Sequence, residues 1–248
     1  PGVAGAHAAL ESCVRWRTLY LTYFHPLAIH TPYPMPLWKR LGFLFVFVVP
    51  ALMPAAAWLG VRSGHHDLMA WFPLFFLFVL LPLADYALGH DPINPSAQEA
   101  RALERDDWFK WMTLAALPAQ LGVMTWSGWH LVHADFGIAG TIGWLLSQGI
   151  VGGVLAINVA HELIHKDTAL ERIAGGLLLT SVGYHGFKIE HIRGHHVHVS
   201  TPEDASSSRF GQSLWHFLPR ALLRNTANAW ILEAQRLAKL GRRWWSAD

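Results

Sequence analysis

The chain has 248 residues, of which 52% are hydrophobic and 15% are charged. This composition is typical of a membrane protein and argues against an ordinary soluble domain. The formal net charge of +2 is too small to indicate a nucleic-acid partner, and the sequence has no zinc-finger or RNA-binding pattern. A single cysteine, Cys13, excludes an intramolecular disulfide and a cysteine-built metal cluster within this chain.

Four apolar stretches are predicted to cross the lipid bilayer as helices. At about 1.5 Å of rise per residue, each is long enough to span a hydrocarbon core of about 30 Å. Together they define a predicted membrane region at residues 41–160, preceded by an interfacial amino-terminal segment at residues 1–40. The four predicted spans cover residues 41–61, 68–89, 111–134 and 136–160.

Lysine and arginine residues beside the spans predict the orientation of the chain. The segment before the first span and the connection between the second and third spans are basic, whereas the other two connections hold one basic residue and none. The amino terminus is therefore predicted to be cytoplasmic, and four crossings return the chain to the cytoplasmic side at His161. In the fourth span, Gly149 and Gly153 have the spacing typical of closely packed membrane helices.

Residues 161–248 are predicted to form a cytoplasmic region with interfacial helices. The apolar run Ile173–Phe187 is shorter than the roughly 20 residues of a membrane span, so we interpret it as a re-entrant or interfacial helix. Residues 201–204 resemble a helix start, with a capping hydroxyl, a proline and two acids. The basic, amphipathic segment Leu214–Trp245 is predicted to lie at the headgroup surface.

Two short motifs carry five of the sixteen histidines. HELIHK at residues 161–166 places two histidines four residues apart, on one face of a helix. EHIRGHH at residues 190–196 repeats this spacing, adds a third histidine and contains Gly194, which relieves crowding. Five convergent imidazoles exceed the needs of one zinc ion, and nitrogen-rich ligation at a site open to oxygen suits iron. The predicted metal ligands are His161, His165, His191, His195 and His196.

At these motifs the sequence resembles the membrane-bound alkane 1-monooxygenases, the non-haem di-iron branch of the integral-membrane desaturase and hydroxylase superfamily. The resemblance runs from about residue 40 to the end and includes TPEDASSSR at residues 201–209 and GHDPINP at residues 89–95. It implies an all-α integral membrane protein with six transmembrane helices in the complete fold, four of them here. The cytoplasmic end of that fold would hold two irons through histidines.

The resemblance also implies a reaction and partners. Oxygen would enter the terminal C–H bond of an alkane, with electrons from rubredoxin and rubredoxin reductase, at the cytoplasmic side of the bacterial inner membrane. Glu162 and Glu190 are predicted to orient imidazole N–H groups around the ligands. The family's third histidine box and last transmembrane hairpin are missing after Trp245, so we expect these 248 residues alone to form an incomplete centre and not to hydroxylate alkanes.

Three alternatives stay open at this stage. A related desaturase or aryl-methyl hydroxylase shares the histidine chemistry and differs chiefly in the stretch that begins with TPED. A zinc intramembrane protease shares the HExxH pattern but predicts zinc, peptide hydrolysis and a later acidic ligand within a span. An inactive membrane protein without a metal is favoured only by the missing ligands.

Overall fold

The computed structural model describes residues 37–89 and 96–243. This part of the chain is helical and contains no β-strand, which confirms the predicted all-α class. Cys13, most of the predicted interfacial segment at residues 1–40 and most of GHDPINP lie outside the described residues. The α-helices are α1 (Leu37–Gly42), α2 (Val48–Ser63), α3 (His66–Met69), α4 (Phe72–Phe75), α5 (Leu81–Leu88), α6 (Ala97–Glu104), α7 (Asp107–His133), α8 (Ile138–Leu163), α9 (Ala169–Ser181), α10 (Phe187–Glu190), α11 (His196–His198) and α12 (Leu214–Lys239).

Within the described ranges, three helical stretches are long and apolar enough to cross a membrane. Helices α1 and α2 join through a tighter turn at Phe43–Phe47 to give Lys39–Ser63, and α3 to α5 join to give His66–Leu88. The third is α8 itself. They correspond to the first, second and fourth predicted spans, so the chain is a multi-pass membrane protein.

Helix α7 corresponds to the predicted third span. Its 27 residues reach about 40 Å, but tryptophan, histidine and glutamine side chains lower its hydropathy. Its amino-terminal end lies beside the start of the first span, where Arg40 forms an ion pair with Asp106. Gly137 follows the carboxyl-terminal end of α7, and Asp67 follows the end of the first span. The backbone N–H of Gly137 donates a hydrogen bond of 2.9 Å to Asp67 Oδ1. This placement alongside the first span supports a fourth crossing, which stays a prediction.

Helix α8 is the central element and packs against α2, α3, α4, α7 and α9. Glycines permit the closest approaches: a Cβ at Gly140 would lie 2.2 Å from Asp67 Oδ1, and one at Gly143 would lie 2.4 Å from the Trp71 indole nitrogen. No atom lies within 4 Å of a Cβ built on Gly149 or Gly153, so the prediction that these two glycines pack closely is wrong for the described residues. Spacing alone does not reveal which helix face meets a neighbour.

The segment after the first histidine motif enters the bundle and returns. Helix α9 runs antiparallel to α8, with Gly175 against Leu163 and with Val182, just after its end, close to Gly152 in the middle of α8. Its 13 residues span about 20 Å, too short to cross the bilayer. The chain then reverses at Gly183, whose φ of 70° favours glycine. This hairpin returns the second motif to the histidine end of α8, and its re-entrant or interfacial position in the membrane stays a prediction.

The predicted helix start at residues 201–204 is wrong. These residues lie in a loop, and the following helix begins only after Ser213, whose side chain accepts a hydrogen bond from the His216 N–H. The physical reason is that serines and Gly211, rather than a periodic apolar run, follow Asp204. Helix α12 is amphipathic as predicted: Ala221 and Leu237 are buried, and other apolar side chains on it are exposed.

Candidate metal centre

The first motif lies where α8 ends. His161 belongs to the last turn of α8, and His165 follows in the turn that closes it, so the two rings stay on one side with centroids 5.2 Å apart. Both side chains are exposed. The helical spacing therefore brings the two predicted ligands together at one end of the bundle.

The second motif owes its geometry to a local π-helical segment, His191–His195. The backbone N–H of His196 bonds to the carbonyl of His191, five residues earlier. In an α-helix, side chains five residues apart point about 140° away from each other, whereas the wider π turn reduces that angle and brings them toward the same face. As a result, the Nε2 atoms of His191 and His196 lie 3.1 Å apart.

His191 is the point at which the two motifs meet. Its Nε2 also lies 3.1 Å from the Nε2 of His165, and the centroid of its ring lies 4.5 Å from that of His161. Candidate ligand atoms of His161, His165 and His191 all lie within 4.8 Å of one another. His195 stacks on His191 at 5.3 Å, with an angle of 22° between the ring planes. Ring contacts thus join all five predicted ligands in one cluster, in which candidate ligand atoms of three, His161, His165 and His191, lie mutually close.

The nitrogen positions fit a shared metal better than a hydrogen-bond network. A neutral imidazole Nε2 carries either a proton or a lone pair, so His191 Nε2 would have to split a single hydrogen-bonding role between two partners. In contrast, two nitrogens bound about 2.1 Å from one metal at a right angle lie about 3.0 Å apart. The observed 3.1 Å separations match that arrangement, so these residues fit a histidine-ligated metal.

The surroundings of the cluster favour the neutral, cation-binding form of its imidazoles. Burial, followed by the neighbouring imidazoles, lowers the pKa of His191 to about 4. Burial and the imidazoles of His196 and His161 also lower the pKa of His165. Because a histidine binds a metal only through a neutral ring, both shifts leave lone pairs available at neutral pH.

Asp204 is the functional residue that the sequence analysis missed. Its Oδ2 accepts a hydrogen bond from His195 Nδ1 at 2.9 Å, and its side chain is 0% exposed. Burial alone would raise the pKa of this carboxyl, but hydrogen bonds from Ser207, His195 and Ser206 outweigh it and lower the pKa. The signal in the sequence was the Asp-x-Ser-Ser pattern, in which the serines supply donors to the preceding aspartate.

The two glutamates predicted to orient imidazoles occupy different surroundings. Glu162 is exposed and pairs with Lys166 at 2.5 Å, one helical turn away. Glu190 is 1% exposed, bonds to Asn228 and has its pKa raised by burial. A Cβ at Gly194 would lie 2.8 Å from Glu190 Oε1, so the glycine makes room for this carboxyl group. The orienting role of both glutamates stays a prediction.

One side of the cluster is closed and the other is open. Phe187 stacks on His191 with ring centroids 4.8 Å apart, and Tyr184 stacks in turn on Phe187 at 5.2 Å. On the opposite side, His161, His165 and His196 are exposed. A metal held by this cluster would therefore be accessible to further ligands from the exposed side.

Comparisons with known proteins show which proteins this chain is similar to. Residues 136–247, which include both histidine motifs, match the family model described as fatty acid desaturase. The chain is 45% identical to alkane 1-monooxygenase 2 of Alcanivorax borkumensis over 83% of its length, and 47% identical to alkane 1-monooxygenase 2 of Pseudomonas aeruginosa over 82%. It covers 54% of each, so it spans about half the length of these curated relatives.

A more distant likeness involves a different substrate. The chain is 31% identical to the xylene/toluene monooxygenase hydroxylase component of Pseudomonas putida, over 42% of this chain and 28% of that protein. Both the identity and the coverage are lower than for the two alkane 1-monooxygenases. The likeness to the two alkane 1-monooxygenases is therefore stronger than the likeness to the xylene/toluene enzyme.

Proposed function

This chain belongs to the alkane 1-monooxygenase branch of the fatty acid desaturase family, and we propose that it forms the dioxygen-activating site of a membrane alkane hydroxylase. The reaction would take an alkane, dioxygen, two electrons and two protons to a primary alcohol and water. The observation that carries the proposal is the convergence of the Nε2 atoms of His165 and His196 on that of His191, at 3.1 Å each.

The metal is proposed to be iron, held by the five histidines of the two motifs. Neutral imidazoles in this number suit iron, and the open side leaves room for the reactants. When bound, iron would activate dioxygen so that one oxygen atom enters the terminal C–H bond. We further propose that the complete centre holds two irons and draws part of its ligand set from outside these 248 residues. The ligands proposed here are His161, His165, His191, His195 and His196.

Other residues would orient the site and connect it with the lipid. Phe187 packs against His191 and limits ring rotation, and α9 holds the second motif against the end of α8. The spanning helices expose large apolar side chains, which suits contact with a lipid bilayer. An apolar substrate dissolved in that bilayer would reach the histidine end without entering water.

The electron donors and the location are also part of the proposal. We propose rubredoxin, reduced by rubredoxin reductase, as the donor, since this is what the family resemblance implies. The basic residues beside the first span and around α6 support a histidine end that faces the cytoplasm across the bacterial inner membrane. None of these features suggests a nucleic-acid partner.

Metal analysis of the purified chain in lipid nanodiscs tests the proposal. We expect bound iron, detected by mass spectrometry and by Mössbauer spectroscopy, and its loss from a His165→Ala variant but not from a His185→Ala control. Zinc in place of iron would contradict the proposal and would support the protease alternative. A chain that holds no metal after anaerobic loading with Fe²⁺ would also contradict it.

Turnover is tested separately with octane, reduced rubredoxin and ¹⁸O₂. We expect less than two irons per chain and no octan-1-ol from these 248 residues alone. Two irons per chain together with ¹⁸O-labelled octan-1-ol would refute the expectation of an incomplete centre, while supporting the proposed reaction. Labelled benzyl alcohols from toluene or xylene without octan-1-ol would instead support the aryl-methyl alternative.

A further inference from the structure

The carboxylate of Asp204 lies outside the five-histidine set but is joined directly to it. It is fully shielded from solvent and accepts three hydrogen bonds. Oδ2 accepts from His195 Nδ1 at 2.9 Å and from the Ser207 hydroxyl at 2.6 Å, while Oδ1 accepts from the Ser206 backbone N–H at 2.8 Å. Burial of a carboxylate costs free energy, which these three hydrogen bonds offset.

The bond to His195 fixes the position of the imidazole proton. An ionised carboxylate can only accept, so Nδ1 of His195 must carry the hydrogen. In the neutral ring, Nε2 then holds the lone pair, which is the form that binds a metal through Nε2. The same bond restricts rotation of the ring about the Cβ–Cγ bond.

The loop that carries Asp204 is itself held in place by α12. The hydroxyl of Ser206 accepts from the Asn225 amide at 3.1 Å, and the guanidinium of Arg220 donates to the Ser207 carbonyl at 2.8 Å. Asn225 is also within 3.5 Å of the Tyr184 hydroxyl, on the segment that precedes the second motif. These contacts make the carboxylate a fixed support rather than a mobile surface acid.

We propose that Asp204 is a positioning residue that holds His195 as the Nδ1–H tautomer and aims its Nε2 at the metal. The inference rests on the proposed metal centre. The exposed Glu162 does not fill this role for His195, because its carboxylate pairs with Lys166. Glu190 does not fill it either, because its carboxyl packs beneath Gly194 and bonds to Asn228.

The Asp204→Asn variant tests the tautomer directly. Because the Ser206 N–H still needs an acceptor, the amide oxygen of the variant takes the place of Oδ1 and its NH₂ group faces His195. The ring must then accept at Nδ1 and carry its proton on Nε2. We expect Fe²⁺ or Co²⁺ affinity to fall by about 10- to 100-fold, with a shift of the Co²⁺ d–d absorption bands. The matched control is Glu203→Gln, which changes an exposed acid in the same loop and should leave both unchanged.

Two further variants separate a positioning role from a merely structural one. In a His195→Ala background, Asp204→Asn should cause no additional loss of affinity, since its effect passes through the missing ring. Ser207→Ala removes a donor to Asp204 without altering the tautomer, so its loss should be smaller than that of Asp204→Asn. A full additional loss in the His195→Ala background, or equal losses in the two single variants, would overturn the proposal.

A measurement without metal separates this inference from the proposed function. Solid-state NMR of ¹⁵N-histidine-labelled, metal-free protein reports which ring nitrogen carries the proton, and His195→Ala identifies the signal. We expect His195 as the Nδ1–H form in the wild type and the Nε2–H form in Asp204→Asn. If the wild type binds no metal, the proposed metal centre is wrong. The tautomer of His195 still shows whether Asp204 fixes its proton on Nδ1. An Nε2–H form in the wild type would overturn that role.

Discussion

The two histidine motifs differ in how firmly the fold holds them. In the first motif, a regular helix end presents His161 and His165 to solvent, and its acid pairs with a lysine at the surface. In the second, a π turn places His191 in the interior at 7% exposure, above a buried Glu190. From this difference we predict that the second motif would set the position of a bound metal and that the more exposed side chains of the first would adapt to it.

The largest expected effect comes from removing the shared ligand. His191→Ala should lower Fe²⁺ affinity by more than about 100-fold, because it removes a direct ligand, and loss of residues that merely orient ligands already costs about 10- to 100-fold. His161→Ala should cost less, since water can enter the exposed position. Anaerobic titration with Fe²⁺ measures both affinities.

His185→Ala is the control for this comparison, because His185 is exposed and lies outside the two motifs. The Fe²⁺ affinity of the His185→Ala variant should match that of the wild type. Equal losses of Fe²⁺ affinity in His161→Ala and His191→Ala would show that the two motifs contribute equally to metal binding. That result would contradict the proposed difference between them.

The acids of the two motifs should differ in their contribution to folding. Glu190→Ala leaves a cavity at a position that is 1% exposed and packs beneath Gly194, which should cost roughly 1–3 kcal/mol in the free energy of unfolding. Glu162→Ala removes only an exposed ion pair and should change that free energy by about 0.5 kcal/mol or less. Thermal or denaturant unfolding in detergent measures the difference. A destabilisation by Glu162→Ala as large as that by Glu190→Ala would contradict it.

The smallest expected effect is a pH dependence of the metal-free protein. The pKa of His191 is lowered to about 4 in the fold, whereas an imidazole in the unfolded chain titrates near 6.5. Between these values the unfolded chain binds more protons, so stability rises with pH through this window and is lost as pH falls through it. We expect the free energy of unfolding to change by about 1 kcal/mol across this window, a reduced value because part of the site is open to water.

The melting temperature in the presence of a chelator, measured from pH 6.5 to pH 4, tests this dependence. A His191→Asn variant should flatten the profile, because it removes the group that the unfolded chain protonates. An unchanged slope in that variant would assign the effect to other groups.

Much of the fold follows from the sequence because hydropathy acts over long stretches. The predicted span at residues 41–61 lies within the helix Lys39–Ser63, and the one at residues 136–160 begins two residues before the helix Ile138–Leu163 and ends three residues before it does. The return of the chain through α9 followed from its short length and from the need to bring two motifs to one side. The contact glycines did not follow, because Gly140 and Gly143 are specified by the side chains of Asp67 and Trp71 on another helix.

The site was only partly readable from spacing. The four-residue interval correctly paired His161 with His165, but in the second motif it paired His191 with His195 and gave no sign of the π turn that brings His196 to His191. A single widened turn leaves no periodic signature in a sequence. Asp204 was interpreted as a helix-start residue because its burial and its bond to His195 depend on how the loop folds back.

The short segment between the motifs has a consequence for the order of assembly. His165 and His191 are separated by 26 positions, and the α8–α9 pair carries the chain from one to the other. The entropic cost of closing a loop rises by about 0.6 kcal/mol for each doubling of loop length, so a loop of 26 residues costs less to close than a longer one. During synthesis, the histidine cluster can therefore form as soon as residue 196 has left the ribosome and α8 has entered the membrane. A metal ion bound at that stage would then hold the hairpin closed while α12 is added.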